Sequence, residues 1–287
     1  MEKKRKRASA SSEVIRRLKK NKSAMLGLFI IIIFMLVAIF ADVISPYEKG
    51  IVQNSKALLN APSGKNFFGT DHLGRDVFTR MIHGARVSLT IGLATTIGSM
   101  FFGLVLGACA AYYGGKTDEI IMRIMDMLMC IPPMLLALAI IAAMGSGLVN
   151  LMIAISISII PGYARLIRSV ALTIVENDFI KAAKACGTRD LRIIYKHIIP
   201  NAIGPIIVQA TMSIASMILL AAGFSFIGMG IQPPAPEWGS MLSEAREYLR
   251  RAPYLMTFPG LAILLSALSF NLLGDGLRDA LDPRLKN

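Results

Sequence analysis

Charge is scarce in this chain, and acid is scarcer than base. Only 17% of its 287 residues are charged, while 54% are hydrophobic. A soluble domain carries about a quarter charged residues, so an ordinary soluble fold is excluded. Cysteine is sparse: Cys109, Cys130 and Cys186 show no CxxC spacing, which indicates neither a disulfide framework nor a zinc site. The three histidines, His72, His83 and His197, are isolated in sequence. Metal sites need clustered ligands, so no metal is expected. No GxxxxGK[ST] run occurs, and Gly64-Lys65 lacks the glycine five residues earlier; the chain offers no phosphate-binding loop. No Ser/His/Asp or Cys/His grouping converges in one segment, so no catalytic residue is assigned and no cofactor is expected on this chain. If the protein does vectorial work, a partner or an ion gradient supplies the energy.

What the chain has is long apolar runs. A bilayer-crossing helix needs about 20 mainly apolar residues. The first such run covers 24–41 and is followed by Asp42 and Pro46. It is too long for the apolar region of a cleaved leader, and no small-x-small site follows, so it reads as an uncleaved anchor. Five more spans are predicted at about 87–112, 120–144, 148–170, 202–229 and 256–277. The second carries Gly92, Gly98, Gly103 and Gly107, small residues that let membrane helices pack closely. Pro132-Pro133 and Pro161 should kink or end their helices. The expected fold is an all-α polytopic membrane protein with six transmembrane helices.

Six spans place both termini on one side. If that side is the cytoplasm, the inner segments hold 22 Lys/Arg and the outer segments 9. Positive charge then lies inside. The 3–7 basic run is thereby explained as a topology determinant that also attracts anionic membrane lipid, and no nucleic-acid partner is expected. The domains follow: a basic tail 1–23, the first helix 24–44, an outer segment 45–85, a five-helix core 86–277, and a cytoplasmic tail 278–287.

Between the fourth and fifth spans lies a polar, basic connection longer than a simple loop needs. It contains Phe179-Ile-Lys-Ala-Ala-Lys-Ala-Cys-Gly187 and then His197-Ile-Ile-Pro-Asn201. Ala182, Ala183 and Ala185 offer a small face on a short helix. Gly187 can take positive φ and end that helix. Leu191, Ile194, Tyr195 and Ile198 stand at helical spacing on a second amphipathic run, and Pro200 marks the start of span five. Either a docked partner or a lipid surface accounts for such a segment.

The spacing Ala182-Ala183-x3-Gly187-x12-Pro200 resembles the EAA loop of ABC-importer permeases, with Lys181 in place of the glutamate and Ile199 in place of the leucine. Phe68-Gly-Thr-Asp-His-Leu-Gly-Arg-Asp76, Gly228-Met-Gly-Ile-Gln-Pro-Pro-Ala-Pro-Glu-Trp-Gly239 and Asn271-Leu-Leu-Gly-Asp-Gly-Leu-Arg-Asp-Ala-Leu-Asp-Pro283 are similar to segments of the dipeptide/oligopeptide and nickel permeases, "C"-type subunit. The resemblance implies a type I ABC importer permease fold in a bacterial or archaeal cytoplasmic membrane. It also implies a paralogous permease subunit, two ABC ATPase subunits that use ATP and Mg, and an extracytoplasmic substrate-binding protein. The coupling loop would be 178–200, with Lys181, Ala182, Ala183, Ala185, Gly187 and Pro200 facing the ATPase. An interfacial anchor is the default reading of Trp238, and contact of Pro233, Pro234 and Trp238 with the binding protein is the alternative. Short peptides are the expected cargo; nickel or another small solute, an ion-coupled transporter and a membrane scaffold are the competing readings. Periodicity assigns no pathway residue, because every face of the spans is apolar. Arg123 and Asp126, like Asp275 and Arg278, stand three apart and can pair on one helix face.

Overall fold

The computed structural model describes residues 10–281; the 3–7 basic run and the last six residues of the chain lie outside them. Apart from one isolated bridge between Thr70 and Asp76, the regular elements among the described residues are helices. An apolar sequence in a bilayer permits little else, since a helix satisfies its own backbone donors and acceptors. Besides two four-residue helices, Ala41–Ile44 and Glu48–Ile51, the α-helices in chain order are α1 (Ala10–Lys20), α2 (Lys22–Ile39), α3 (Val77–Tyr113), α4 (Gly115–Met129), α5 (Pro133–Met144), α6 (Leu148–Val175), α7 (Asp178–Ala185), α8 (Asp190–Ile193), α9 (Ile199–Phe226), α10 (Trp238–Ala245) and α11 (Tyr254–Leu281). Helices α2, α3, α6, α11 and the run Asp190–Phe226 are long and apolar enough to cross a membrane. The predicted third span is instead the pair α4 and α5, bent by 84°. Pro132 and Pro133 lack the N–H groups that the carbonyls of Leu128 and Met129 would meet in a continuous helix. Pro161 does not end its helix: α6 runs through it.

Helix α3 begins at Val77, ten residues before the predicted start. Asp76 caps it, its carboxylate accepting from Thr79 N at 2.8 Å. At 37 residues it is about 55 Å long, against about 30 Å of hydrocarbon, so its first turns stand clear of the membrane. It packs along α6. A Cβ on Gly103 would come within 2.4 Å of the Tyr163 Cβ, and one on Gly107 within 2.4 Å of the Ala164 carbonyl. Such an approach is open only to glycine. Hydroxyls on this pair bond back to their own helix: Thr95 donates to Ile91 O and Ser99 to Thr95 O, both at 2.7 Å. Two other buried hydroxyls on these helices, those of Thr96 and Tyr163, have no such partner among the described residues.

At the far end of α3 from Tyr113, the segments 45–76 and 231–253 fold into a cap. Arg75 and Arg80 are each 1% exposed. Arg75 donates to Asp71 and Glu244, both at 2.6 Å, and Arg80 to Glu244 at 3.0 Å. Tyr254 on α11 donates to Asn60 O and Thr70 O at 2.9 Å, and Phe68 stacks on Phe258 at 4.0 Å. Asp71, His72 and Glu244 present ligand atoms within 4.8 Å of one another, but both carboxylates already face the guanidinium groups.

Trp238 corrects an expectation. Neither an interfacial anchor nor a partner contact, it is 1% exposed. Its ring packs edge-on against Phe34 and over Gly84, and its Nε1 donates to Met81 O at 3.1 Å. The indole is placed by Glu237, which caps α10 by accepting from Gly239 N and Ser240 N. Burial pushes the Glu237 carboxyl up, and those N–H groups oppose the shift. Pro233 and Pro234 remain exposed.

Glu244→Ala would leave two buried guanidinium groups short of a partner. The expected loss is about 3–5 kcal/mol, read as a lower Tm in detergent; an unchanged Tm would show that the cluster does not hold the cap together.

Candidate functional site

The 178–200 segment lies at the end of the molecule opposite the cap. Helix α7 ends in a paired hydrogen-bond closure: Gly187 N donates to Lys184 O at 2.9 Å and Thr188 N to Ala183 O at 3.1 Å. Residue 187 has φ +71°, the left-handed region that glycine occupies without strain. A Cβ there would meet nothing within 4 Å, so the surface beside Gly187 is open.

The apolar residues divide into two sets. Ile180, Ile193, Ile194 and Ile198 are buried together with Tyr163, Ile167 and Ile206. Leu191 and Tyr195 are 74% and 72% exposed. The predicted single face of Leu191, Ile194, Tyr195 and Ile198 is therefore split. A π-helical stretch, Ile194–Ile198, lies between α8 and α9. Its wider turn puts Ile193, Ile194 and Ile198 on the inner side and leaves Leu191 and Tyr195 outside. Pro200 accordingly interrupts nothing. It sits in the first turn of α9 within the unbroken helical run Asp190–Phe226.

The predicted residues do not all share one surface. Ala182, Ala185, Lys181, Gly187 and Pro200 are exposed, whereas Ala183 turns inward and packs on the buried isoleucines. Lys181 pairs with Asp178 at 3.2 Å, an i,i+3 contact in open solvent worth little energy. Phe179 is exposed beside them.

Tyr112, at the end of α3, fastens the segment, and sequence reasoning missed it. Its hydroxyl donates to the Asp190 carboxylate at 2.6 Å, and Lys184 Nζ stands 4.4 Å over its ring. The only sequence signal was an aromatic residue at the end of an apolar run. Nearby, Arg168 on α6 forms a two-pronged pair with Asp118 on α4. Asp126 pairs with Arg165 on α6 rather than with Arg123. Among the described residues, Asp275 and Arg278 form no ion pair. Of the two same-helix pairings expected at i,i+3 spacing, one thus loses to a partner on a neighbouring helix and the other does not form. A short ordered helix with an open surface, tied to one long helix and continuous with another, can pass a push on that surface into both.

Tyr112→Phe keeps the ring and removes the hydroxyl. A hydrogen bond to a charged group contributes about 1.5–3 kcal/mol. Amides of 186–193 should therefore exchange at least about tenfold faster by hydrogen–deuterium exchange mass spectrometry; unchanged protection would show that Tyr112 does not hold the segment.

Comparison with known proteins matches residues 99–287 to the model for the binding-protein-dependent transport system inner membrane component. Residues 9–62 match the N-terminal TM domain of oligopeptide transport permease C. The dipeptide transport system permease protein DppC of Alkalihalophilus pseudofirmus is 48% identical over 96% of this chain and 90% of its own. The di/tripeptide permease DppC of Pseudomonas aeruginosa is 45% identical over 93% and 90%. The glutathione permease GsiD of Pectobacterium atrosepticum is 43% identical over 94% and 89%. An inward-facing structure of the MetNI methionine ABC transporter shares the fold, with a TM-score of 0.56 at 19% identity over 71% of this chain and 96% of that one. The chain belongs to the binding-protein-dependent transport system inner membrane component family, as an OppC-type multi-pass inner-membrane permease.

Proposed function

We propose that this chain imports short peptides as one of two paralogous permeases, with both termini in the cytoplasm. Two ATPase subunits that use ATP and Mg dock on the 178–200 segment of each permease, and an extracytoplasmic binding protein delivers the peptide to the cap. The observation that carries the coupling role is the form of the segment. It is ordered, rooted in the core by Ile180, Ile193 and Ile198, and yet leaves Leu191 and Tyr195 bare, with Ala182, Ala185 and Gly187 also exposed. Large apolar groups exposed on an ordered surface outside the lipid mark a docking face. The peptide cargo is supported by relatives named for dipeptides, di/tripeptides and glutathione.

The mechanism follows from stiffness. Closure of the ATPase pair pushes on the 178–200 segment. The push reaches α3 through Lys184 and Asp190 on Tyr112, and α9 through the helical run that starts at Asp190. The long helices turn as rigid bodies, and the pathway alternates between its two openings. Pro233 and Pro234, exposed on the cap, stand within reach of the binding protein; Trp238 acts behind them by holding α10 against α3.

Gly187→Asp puts a side chain and a charge on the docking face. In a reconstituted complex it should uncouple ATP hydrolysis from uptake while the protein still inserts; normal transport would sink the docking assignment. The purified chain alone should hydrolyse no ATP, and robust hydrolysis without co-purifying subunits would contradict a passive subunit. Uptake of labelled dipeptide, glutathione and nickel in the same vesicles distinguishes the cargo classes.

A further inference from the structure

One face of α6 is wrong for lipid. Gly162, Arg165, Ser169 and Thr173 are all exposed, and their spacing of three, four and four places them on a single stripe. The apolar residues that α6 exposes, Val149, Ile153 and Ile157, fall in the other half of the helix, with Val149 and Ile153 about 160° and about 120° around from Arg165. Arg165 lies ten residues from the end of α6 at Val175, about 15 Å along the axis. The 28-residue helix is about 42 Å long and crosses about 30 Å of hydrocarbon. Arg165 thus lies within the apolar layer, in the half nearer the 178–200 segment.

Its partner is Asp126, four residues before the break at Cys130 between α4 and α5. Two features of this pair set it apart. The guanidinium and carboxylate are 52% and 55% exposed, whereas the Arg168–Asp118 pair on the same two helices is 31% and 20% exposed. The more enclosed, two-pronged pair already ties α4 to α6. An ion pair open to water adds little stability, and one open to hydrocarbon is costly. The pair also adjoins the broken helix, where Cys130, Ile131, Pro132 and Pro133 are all exposed. Non-helical backbone at membrane depth is tolerated where it lines a water-filled cavity.

We propose that the Gly162/Arg165/Ser169 stripe lines the translocation pathway, and that Arg165 and Asp126 hold the charged ends of a transported peptide. The peptide carboxylate meets the guanidinium in a bidentate fork, and the peptide ammonium meets the Asp126 carboxylate. The two side chains neutralise each other when the pathway is empty and exchange partners as a zwitterion passes. The substrate class rests on the peptide-importer reading above.

The test uses the full reconstituted complex with Cys109, Cys130 and Cys186 replaced by serine. Gly162→Cys and Ser169→Cys should react with a charged, membrane-impermeant thiol reagent in nucleotide-free complex at least about tenfold faster than Ile153→Cys on the opposite face, since only wet thiols ionise readily. Equal rates mean that lipid or the paralogous permease seals the stripe, and they overturn the proposal. Arg165→Gln and Asp126→Asn should each lower dipeptide uptake about tenfold, the loss of one charge-assisted hydrogen bond, while binding-protein-stimulated ATP hydrolysis persists. The exchanged variant Arg165→Asp/Asp126→Arg separates binding from tethering: restored uptake means that the pair only ties two helices, and persistent loss supports the substrate role. Labelling reads the pathway without reference to cargo or coupling. A wrong peptide assignment therefore shows fast labelling with no dipeptide uptake by the unsubstituted complex, and a wrong pathway assignment shows slow labelling.

Discussion

Within a bilayer no water is present to take up a free N–H or C=O, and an unsatisfied backbone group there costs several kcal/mol. This requirement makes the spans helices and makes any departure from helix informative. Where α3 meets α6, hydroxyls turn back onto carbonyls of their own helix, and Gly103 and Gly107 bring the backbones together. At 130–132 the ladder stops, and the charged pair Arg165–Asp126 stands beside the break. In the first region the chain excludes everything but itself. In the second it leaves polar groups that need water or a solute.

The two ends of the molecule handle charge in opposite ways. In the cap, Arg75 and Arg80 are buried against Asp71 and Glu244, and Tyr254 and Phe258 lock the loop to α11. Partnered, these charges hold a rigid platform; a missing partner would leave an uncompensated buried ion. At the other end Lys181, Lys184, Arg189, Arg192 and Lys196 are exposed around Leu191 and Tyr195. Charge there is left to solvent, beside two exposed apolar side chains in the same segment, Leu191 and Tyr195. Helix α3 joins the two ends without a break.

The apolar runs, the helix break at Pro132-Pro133 and the positive φ of Gly187 were legible in the sequence, because each depends on composition or on one residue's conformational limits. The candidate segment stood out by its polarity between two apolar runs, and its EAA-like spacing added a family resemblance. The fate of individual side chains was not legible. Trp238 stood among prolines in a segment that looked like surface, yet Phe34, Met81 and Gly84, all more than 150 residues away, enclose it. Ala183 and Ala185 looked equivalent until the isoleucines of α8 and the π-helical stretch took one of them inward. Arg123 and Asp126 looked like a pair because sequence shows only neighbours on the same helix.

By itself the sequence determined that this is a helical membrane protein, which stretches are apolar enough to span, where a helix must break, and which polar segment stands apart between two spans. Hydropathy, proline chemistry and charge asymmetry act locally, and a linear reading captures them. The tertiary structure alone decided which residues of that segment face outward, that Tyr112 fastens it, and that Arg165 faces Asp126 across two helices. Those outcomes depend on which helices come to lie side by side, and contacts between residues tens of positions apart have no periodic trace in the chain.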